Sequence, residues 1–315
     1  MDSRFNYRLI GLSAGCLAVA LMVSLPGSAH GDVTFGGYLD IVVDSVDTEG
    51  MDKAESGGVA TYELRAMTDL GEGLTGSAHI AGDGENDIWL EQANVSYQIN
   101  DNLSLIAGKY LSALGWEAFH APDLYQISTS ATLVYPGMMN GAGLTHSDEG
   151  WSLYGAVLAG VWNSDDTNLD EIGYEAQLKL MPAEGMTIQI GYAREGVAAT
   201  TNAASFDQAL LNVWVSYQLG SILLAGEFND VTDWGAQGTD GDGYLVMANI
   251  PLGEKLSVTL RYSALDVGST DVAKYTISPS YTVTENWTVR AEFNSTDAET
   301  DSDTDVVALE SILTF

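Results

Sequence analysis

The chain has 315 residues and a formal net charge of −33 at pH 7, from 44 acidic and 11 basic side chains. That balance excludes a nucleic-acid binder, which must neutralise phosphate with clustered Lys and Arg. Yet 46% of the residues are hydrophobic, with 15 Tyr and 7 Trp, which excludes a disordered acidic tail.

Residues 1–31 read as a signal peptide. Arg4 and Arg8 form its positive region, 9–25 its apolar core, and Pro26-Gly27 the break before small residues that predict cleavage after Ala29 or Gly31. Cys16 stands in LSAGC, a faint lipoprotein box, but 9–15 alone would be a very short apolar core. The leader carries Asp2, Arg4 and Arg8, so the mature chain is one unit more negative still. It also carries the sole cysteine, so an exported chain of this size must be held by something other than disulfides. From residue 32 onward no stretch approaches the roughly 18 apolar residues of a membrane helix.

The rest of the chain, 32–315, alternates with a period of two. In 33–45, Phe35, Leu39, Ile41 and Val43 share one face, while Thr34, Asp40 and Asp44 share the other. The same pattern recurs to predict sixteen strands, at 33–45, 58–68, 74–82, 88–99, 103–111, 140–147, 151–162, 171–181, 186–195, 209–219, 221–230, 242–251, 255–265, 272–283, 287–296 and 304–315. Most match the roughly 9–11 residues with which a tilted strand crosses a bilayer. Links after even strands are tight, as at 100–102, 148–150 and Gly220; links after odd strands are mostly longer and polar, as at 48–57, 163–170, 196–208, 231–241 and 297–303. Short turns at one end, long loops at the other and an even strand count predict an all-β, antiparallel, up-and-down transmembrane barrel. Tyr38, Tyr62, Tyr97, Trp151, Trp162, Tyr217, Tyr281 and Trp287 near strand ends predict interfacial girdles. A barrel this wide keeps an aqueous lumen that wall side chains do not fill.

The alternation lapses longest at 112–140, SALGWEAFHAPDLYQISTSATLVYPGMMN. Long irregular inserts are commonly functional or disordered, and Trp116, Phe119, Leu124 and Tyr125 make this one too apolar for a solvated loop. It follows the fifth strand on the long-loop side, and we expect it to fold into the lumen. Parity turns Asp40, Glu63, Arg65, Glu175, Lys179, Glu227, Arg261, Lys274, Arg290 and Glu292 inward, while Lys109 and Arg194 stay ambiguous. An outward Arg or Lys at mid-bilayer would cost about 2–4 kcal/mol. Glu117 and Asp123 from the insert would then face wall Arg and Lys, setting a field across the narrowest point.

The signal sequence, the start DVTFGGYLD, the strand array and a terminal Phe315 together resemble the Gram-negative porins. The run GKYLSALGWEAFHAPDLYQIS (108–128) looks closer to the OmpL-like β-barrel porins. The resemblance implies a passive diffusion pore of the outer membrane with a third long loop as constriction. It further implies assembly as a homotrimer, with Phe315 read by the barrel-assembly machinery, and contact with outer-membrane lipid and lipopolysaccharide. The diffusing species would be small hydrophilic solutes and ions; the acidic balance of the chain, not the resemblance, adds a lean toward cations and argues against nucleic acid.

Other readings stay in play. Trp116, Phe119, Tyr125, Trp214 and Trp234 could form an aromatic track for a specific sugar or nutrient ion, though aromatics under such a loop usually pack it to the wall. His79, with Ser77 two positions along the same face, could serve an outer-membrane hydrolase, which needs nucleophile, base and orienting group to converge. His120 and His146 sit in no motif. The acidic loops at 165–166, 240–242 and 297–305 match no calcium-binding pattern and could instead make a structural barrel that binds cations or surface ligands. No cofactor and no metal centre are expected.

Overall fold

A computed structural model describes residues 31–84, 87–132, 134–162, 172–199, 204–299 and 302–315. Residues 1–31, the expected signal peptide, lie outside the described residues except for Gly31, as do Asp165 and Asp166 and the loop around them. Sixteen strands form: β1 (Val33–Thr48), β2 (Ala54–Gly71), β3 (Leu74–Asp83), β4 (Ile88–Asn100), β5 (Leu103–Leu111), β6 (Met138–Asp148), β7 (Trp151–Gly160) and β8 (Gly173–Ala183) in the first half. The second half holds β9 (Met186–Val197), β10 (Phe206–Leu219), β11 (Ile222–Thr232), β12 (Gly241–Pro251), β13 (Leu256–Val267), β14 (Thr270–Thr284), β15 (Trp287–Ala298) and β16 (Thr304–Thr314). Each pairs antiparallel with its sequence neighbours, and β1 pairs with β16 from Tyr38↔Thr314 to Thr48↔Thr304, closing the barrel.

Closure answers how a chain without disulfides holds together in lipid. Every strand finds two partners, so no backbone edge faces hydrocarbon, where an unpaired N–H or C=O is expensive. The last residue takes part: Gly37 N–H donates to Phe315 O at 3.0 Å and Phe315 N–H to Gly37 O at 3.1 Å, which leaves the Phe315 ring exposed at the short-turn rim. Outward positions expose Val43, Leu153, Val157, Val246, Val307 and Leu309, the apolar band that alternation predicts. Tyr97, Tyr217, Tyr281 and Trp287 lie exposed near the short turns, and Tyr174, Tyr192, Tyr244 and Tyr275 nearer the other rim.

Two girdle residues point elsewhere. Tyr38 is only 5% exposed: it shares the inward parity of Asp40, and Arg65 lies over its ring. Trp162 packs edge-on against Trp234 at 5.3 Å and donates to Val134 O at 2.9 Å, so it braces the inward segment. Loop lengths also differ from expectation. β1 and β2 extend past the bilayer span, leaving only residues 49–53 between them, and β13 turns into β14 through Gly268-Ser269, with Gly268 at φ +62°. A left-handed glycine permits so tight a reversal on the long-loop side.

Leu309 sits mid-strand in β16 and is 57% exposed. Leu309→Arg should destabilise the inserted barrel by about 2–4 kcal/mol, measured by denaturant unfolding in lipid bilayers.

Candidate functional site: the lumen and its inward loop

Residues 112–137 leave β5, enter the lumen and return to β6. A loop buried there must satisfy its own backbone polar groups, since water no longer reaches all of them. The wall side chains supply the partners. Glu175 accepts from Ser112 Oγ at 2.6 Å and Ala113 N–H at 2.9 Å, and Glu227 accepts from Trp116 N–H at 2.8 Å. Glu292 accepts from Ile127 N–H at 2.7 Å, and Ser263 Oγ from Ala131 N–H at 2.9 Å. Basic residues hold the carbonyls. Arg261 donates to Ser128 O at 2.8 Å and Thr129 O at 2.9 Å, Lys274 to Thr129 O at 3.0 Å, and Arg290 to Ala121 O at 3.0 Å and Leu124 O at 2.6 Å.

The path crosses the lumen. Ser112 is fixed at β8, Gly115 at Asn212 of β10, Trp116 at β11 and Glu117 at β13. Three residues on, His120 reaches Glu91 of β4 at 3.1 Å and Glu63 of β2 at 3.5 Å, on the far side of the closure between β1 and β16. A single 3₁₀ turn, Ala121–Asp123, follows, and the chain then returns along β15 and β13. Gly115 makes the first corner: its φ is +91°, and a Cβ there would meet the Tyr135 ring at 2.5 Å. Burial, with Glu227 and Glu117 nearby, pushes the Tyr135 hydroxyl well above its usual pKa, so it stays neutral.

The charges expected to set a lumen field divide by environment. Glu117 does not stand free: it pairs with Arg261, both side chains almost wholly buried, and accepts from Gln126 at 2.6 Å and Ser130 N–H at 2.7 Å. Asp123 is the loop carboxylate left exposed, beside Arg65 in a cavity of ≈300 Å³ near Phe315. Arg65 itself grips Glu63 through two bonds of 2.9 and 2.7 Å. Asp40 is buried beside the Arg290–Glu310 pair, which closes at 2.9 Å. Lys179 lines a cavity of ≈330 Å³ with Tyr154 and Gln177. Arg194 turns outward and pairs with Asp207 in the open.

The aromatic track is not continuous. Trp116 meets Trp214 edge-on at 5.3 Å, whereas Trp234 packs on Trp162, and Phe119 and Tyr125 remain exposed. His79 is better placed than its sequence context indicates. Ser77 Oγ lies 2.8 Å from its Nε2, and Glu63 Oε1 lies 2.7 Å from its Nδ1.

Sequence reasoning missed Glu91, Glu310, Gln177 and Gln189, whose amides donate to Ala113 O, and Thr259, which donates to Tyr125 O. Parity alone could have marked Glu310, but nothing told which inward polar residues would meet the loop. Glu91 was hidden by a bulge: His79 pairs with Gln92 and Ile80 with Leu90, so Glu91 has no partner in the ladder and falls out of phase. Bulges re-aim side chains in this way.

Comparison with known proteins adds to this geometry. The profile of the OmpL-like porins, beta-barrel porin-2, matches residues 56–310. Among curated proteins none matches the chain. An anion-selective porin from Comamonas acidovorans superposes with TM-score 0.71 at 14% identity, covering 90% of this chain and 100% of its own. The outer membrane channel DcaP of Acinetobacter baumannii gives 0.68 at 12%, covering 92% and 99%. The trimer form of the Vibrio cholerae outer membrane protein OmpT gives 0.66 at 12%, covering 90% and 99%.

Arg261 joins the loop to the wall at several points, so it is the residue to remove. Arg261→Ala leaves Glu117 buried without its cation and should cost about 3–5 kcal/mol. The measurement is denaturant unfolding together with new protease cleavage inside 112–137. The double variant Glu117→Gln/Arg261→Met should regain part of that stability, because the stranded charge is gone.

Proposed function

The chain belongs to the OmpL-like family of β-barrel porins, and on that ground we propose passive diffusion of ions and small hydrophilic solutes, with a preference for cations. Family and fold make it a porin-like channel in the outer membrane of a Gram-negative bacterium. The observation that carries the cation preference is how the wall carboxylates are satisfied. Glu175, Glu227 and Glu292 accept N–H bonds from the loop and from Asn212 and Asn294, so they need no cation partner. Arg65, Arg261, Lys274 and Arg290 are occupied with loop carbonyls and with Glu63, Glu117 and Glu310, while Lys179 lines a separate cavity. Carboxylate charge is thus left uncancelled along a narrow passage, which favours cations over anions.

The proposal extends to assembly. A leader ending at Ala29 or Gly31 would export the chain, the exposed Phe315 would be read by the barrel-assembly machinery, and the barrel would sit among lipopolysaccharide as a homotrimer. The trimer form of the Vibrio protein supports that last point.

A second reading rests on the Ser77–His79–Glu63 relay, whose spacings are those of a nucleophile, base and orienting carboxylate. Arg65 weakens it: a guanidinium on both Glu63 oxygens already balances the charge that would stabilise an imidazolium. A fluorophosphonate probe that labels the wild-type barrel but not Ser77→Ala would establish an activated serine, and turnover of an ester lost in both Ser77→Ala and His79→Ala would establish hydrolysis.

In planar bilayers the purified protein should show stable conductance steps with a reversal potential favouring K⁺ over Cl⁻. Asp123→Asn, which removes the exposed loop carboxylate, should lower that preference. A barrel without conductance would refute the channel, and Cl⁻ selectivity would refute only the cation preference.

A further inference from the structure

Where the loop meets the far wall, three atoms of metal-ligand type converge. His120 Nε2 lies 3.1 Å from Glu91 Oε2 and 3.5 Å from Glu63 Oε2, and the three atoms lie within 4.8 Å of one another, all on buried residues. Two of these spacings are close to the roughly 3.4 Å edge of a tetrahedron whose corners lie about 2.1 Å from a metal ion. The ligands come from three separate parts of the chain: β2, β4 and the crossing segment. Glu91 reaches the group only because the bulge opposite His79 and Ile80 turns it inward.

The surroundings orient these ligands. Glu63 Oε1 is held by His79 Nδ1 at 2.7 Å and Arg65 Nε at 2.9 Å, Arg65 Nη2 donates to Oε2 itself at 2.7 Å and leaves that oxygen its second lone pair, and Ser77 Oγ lies 2.8 Å from the other His79 nitrogen. Outer contacts of this kind fix the geometry of metal-binding carboxylates and raise affinity. Charge points the same way. Two buried carboxylates lie against the imidazoles of His79 and His120, and the guanidinium of Arg65 is the one permanent cation beside them. Buried charge of that sort is stable only when paired or bound to a metal.

We propose that Glu63, Glu91 and His120 bind one divalent transition-metal ion of the zinc class, admitted from the lumen. The ion fastens the crossing of the loop to the wall formed by β2 and β4. One imidazole nitrogen with two carboxylate oxygens favours zinc, nickel or copper over magnesium and calcium. The fourth position stays open to water, as in sites with three protein ligands. This site is independent of the conduction proposed above. A conducting barrel that binds no metal refutes the site alone, and a metal-binding barrel that does not conduct refutes the channel alone.

The test uses the folded full-length barrel, stripped with a chelator and then equilibrated with Zn²⁺ in excess Mg²⁺. One zinc per chain is expected, with affinity falling at least about tenfold in Glu91→Gln and in His120→Gln. X-ray absorption at the zinc edge of the wild-type protein needs no variant to fold. It should show a nitrogen ligand within a shell about 2.0–2.1 Å from the metal. Zinc displaced by Mg²⁺, zinc held equally by both variants, or an all-oxygen shell would each overturn the site. His120 would then bridge the carboxylates by hydrogen bonds alone, or exposed aspartates would take the ion.

Discussion

A loop that enters a barrel must find hydrogen-bond partners for backbone that water would otherwise solvate, and the rest of the interior is arranged around that need. The wall meets it with charged side chains. Carboxylates of Glu175, Glu227 and Glu292 take N–H groups, while Arg261, Lys274 and Arg290 take carbonyls. Charge-assisted bonds of this sort are stronger than neutral ones and strengthen further in low dielectric. The loop is therefore a fixed part of the lumen, tied to the wall from β8 round to β15 and across to β4.

This dual use constrains selectivity. A charge spent on a backbone group still contributes to the field, but its position is fixed by the loop rather than by a passing ion. Glu117 shows the limit of such use: paired with Arg261 and buried, it stabilises the loop and adds little net charge. Asp123, three residues beyond His120, stands exposed and enters no such buried pair. Stability and selectivity are thus divided between two carboxylates that look alike in sequence.

The strand array was legible because each rule behind it is local. Alternation, tight turns and aromatic strand ends each leave a mark within about ten residues, and lipid on one face with water on the other keeps the mark clean. The predicted strand 103–111 matches β5 at both ends. Departures occur where a local feature breaks the period. The bulge at Glu91 moves it out of phase, and Gly268 allows a tight turn where a long loop was expected. Tyr38 lies near a strand end, yet its parity points inward, and position along the strand was the weaker guide.

Residues 112–137 mark where sequence reading stops. Their place after the fifth strand and their apolar content indicated an inward fold, because that position and composition suit neither lipid nor open water. The bonds they make depend on inward residues of strands up to 169 positions away, which come together only when β1 closes on β16. Hence the charges Glu117 and Asp123 were legible as candidates, but their separation into a buried brace and an exposed carboxylate was not. His120 is the sharpest case. Alone in sequence it belongs to no motif; barrel closure sets it against Glu63 and Glu91. Sequence determined the barrel, its sidedness and which faces are polar, since those follow from periodicity; tertiary structure decided the partners, since contacts across a lumen have no local signature.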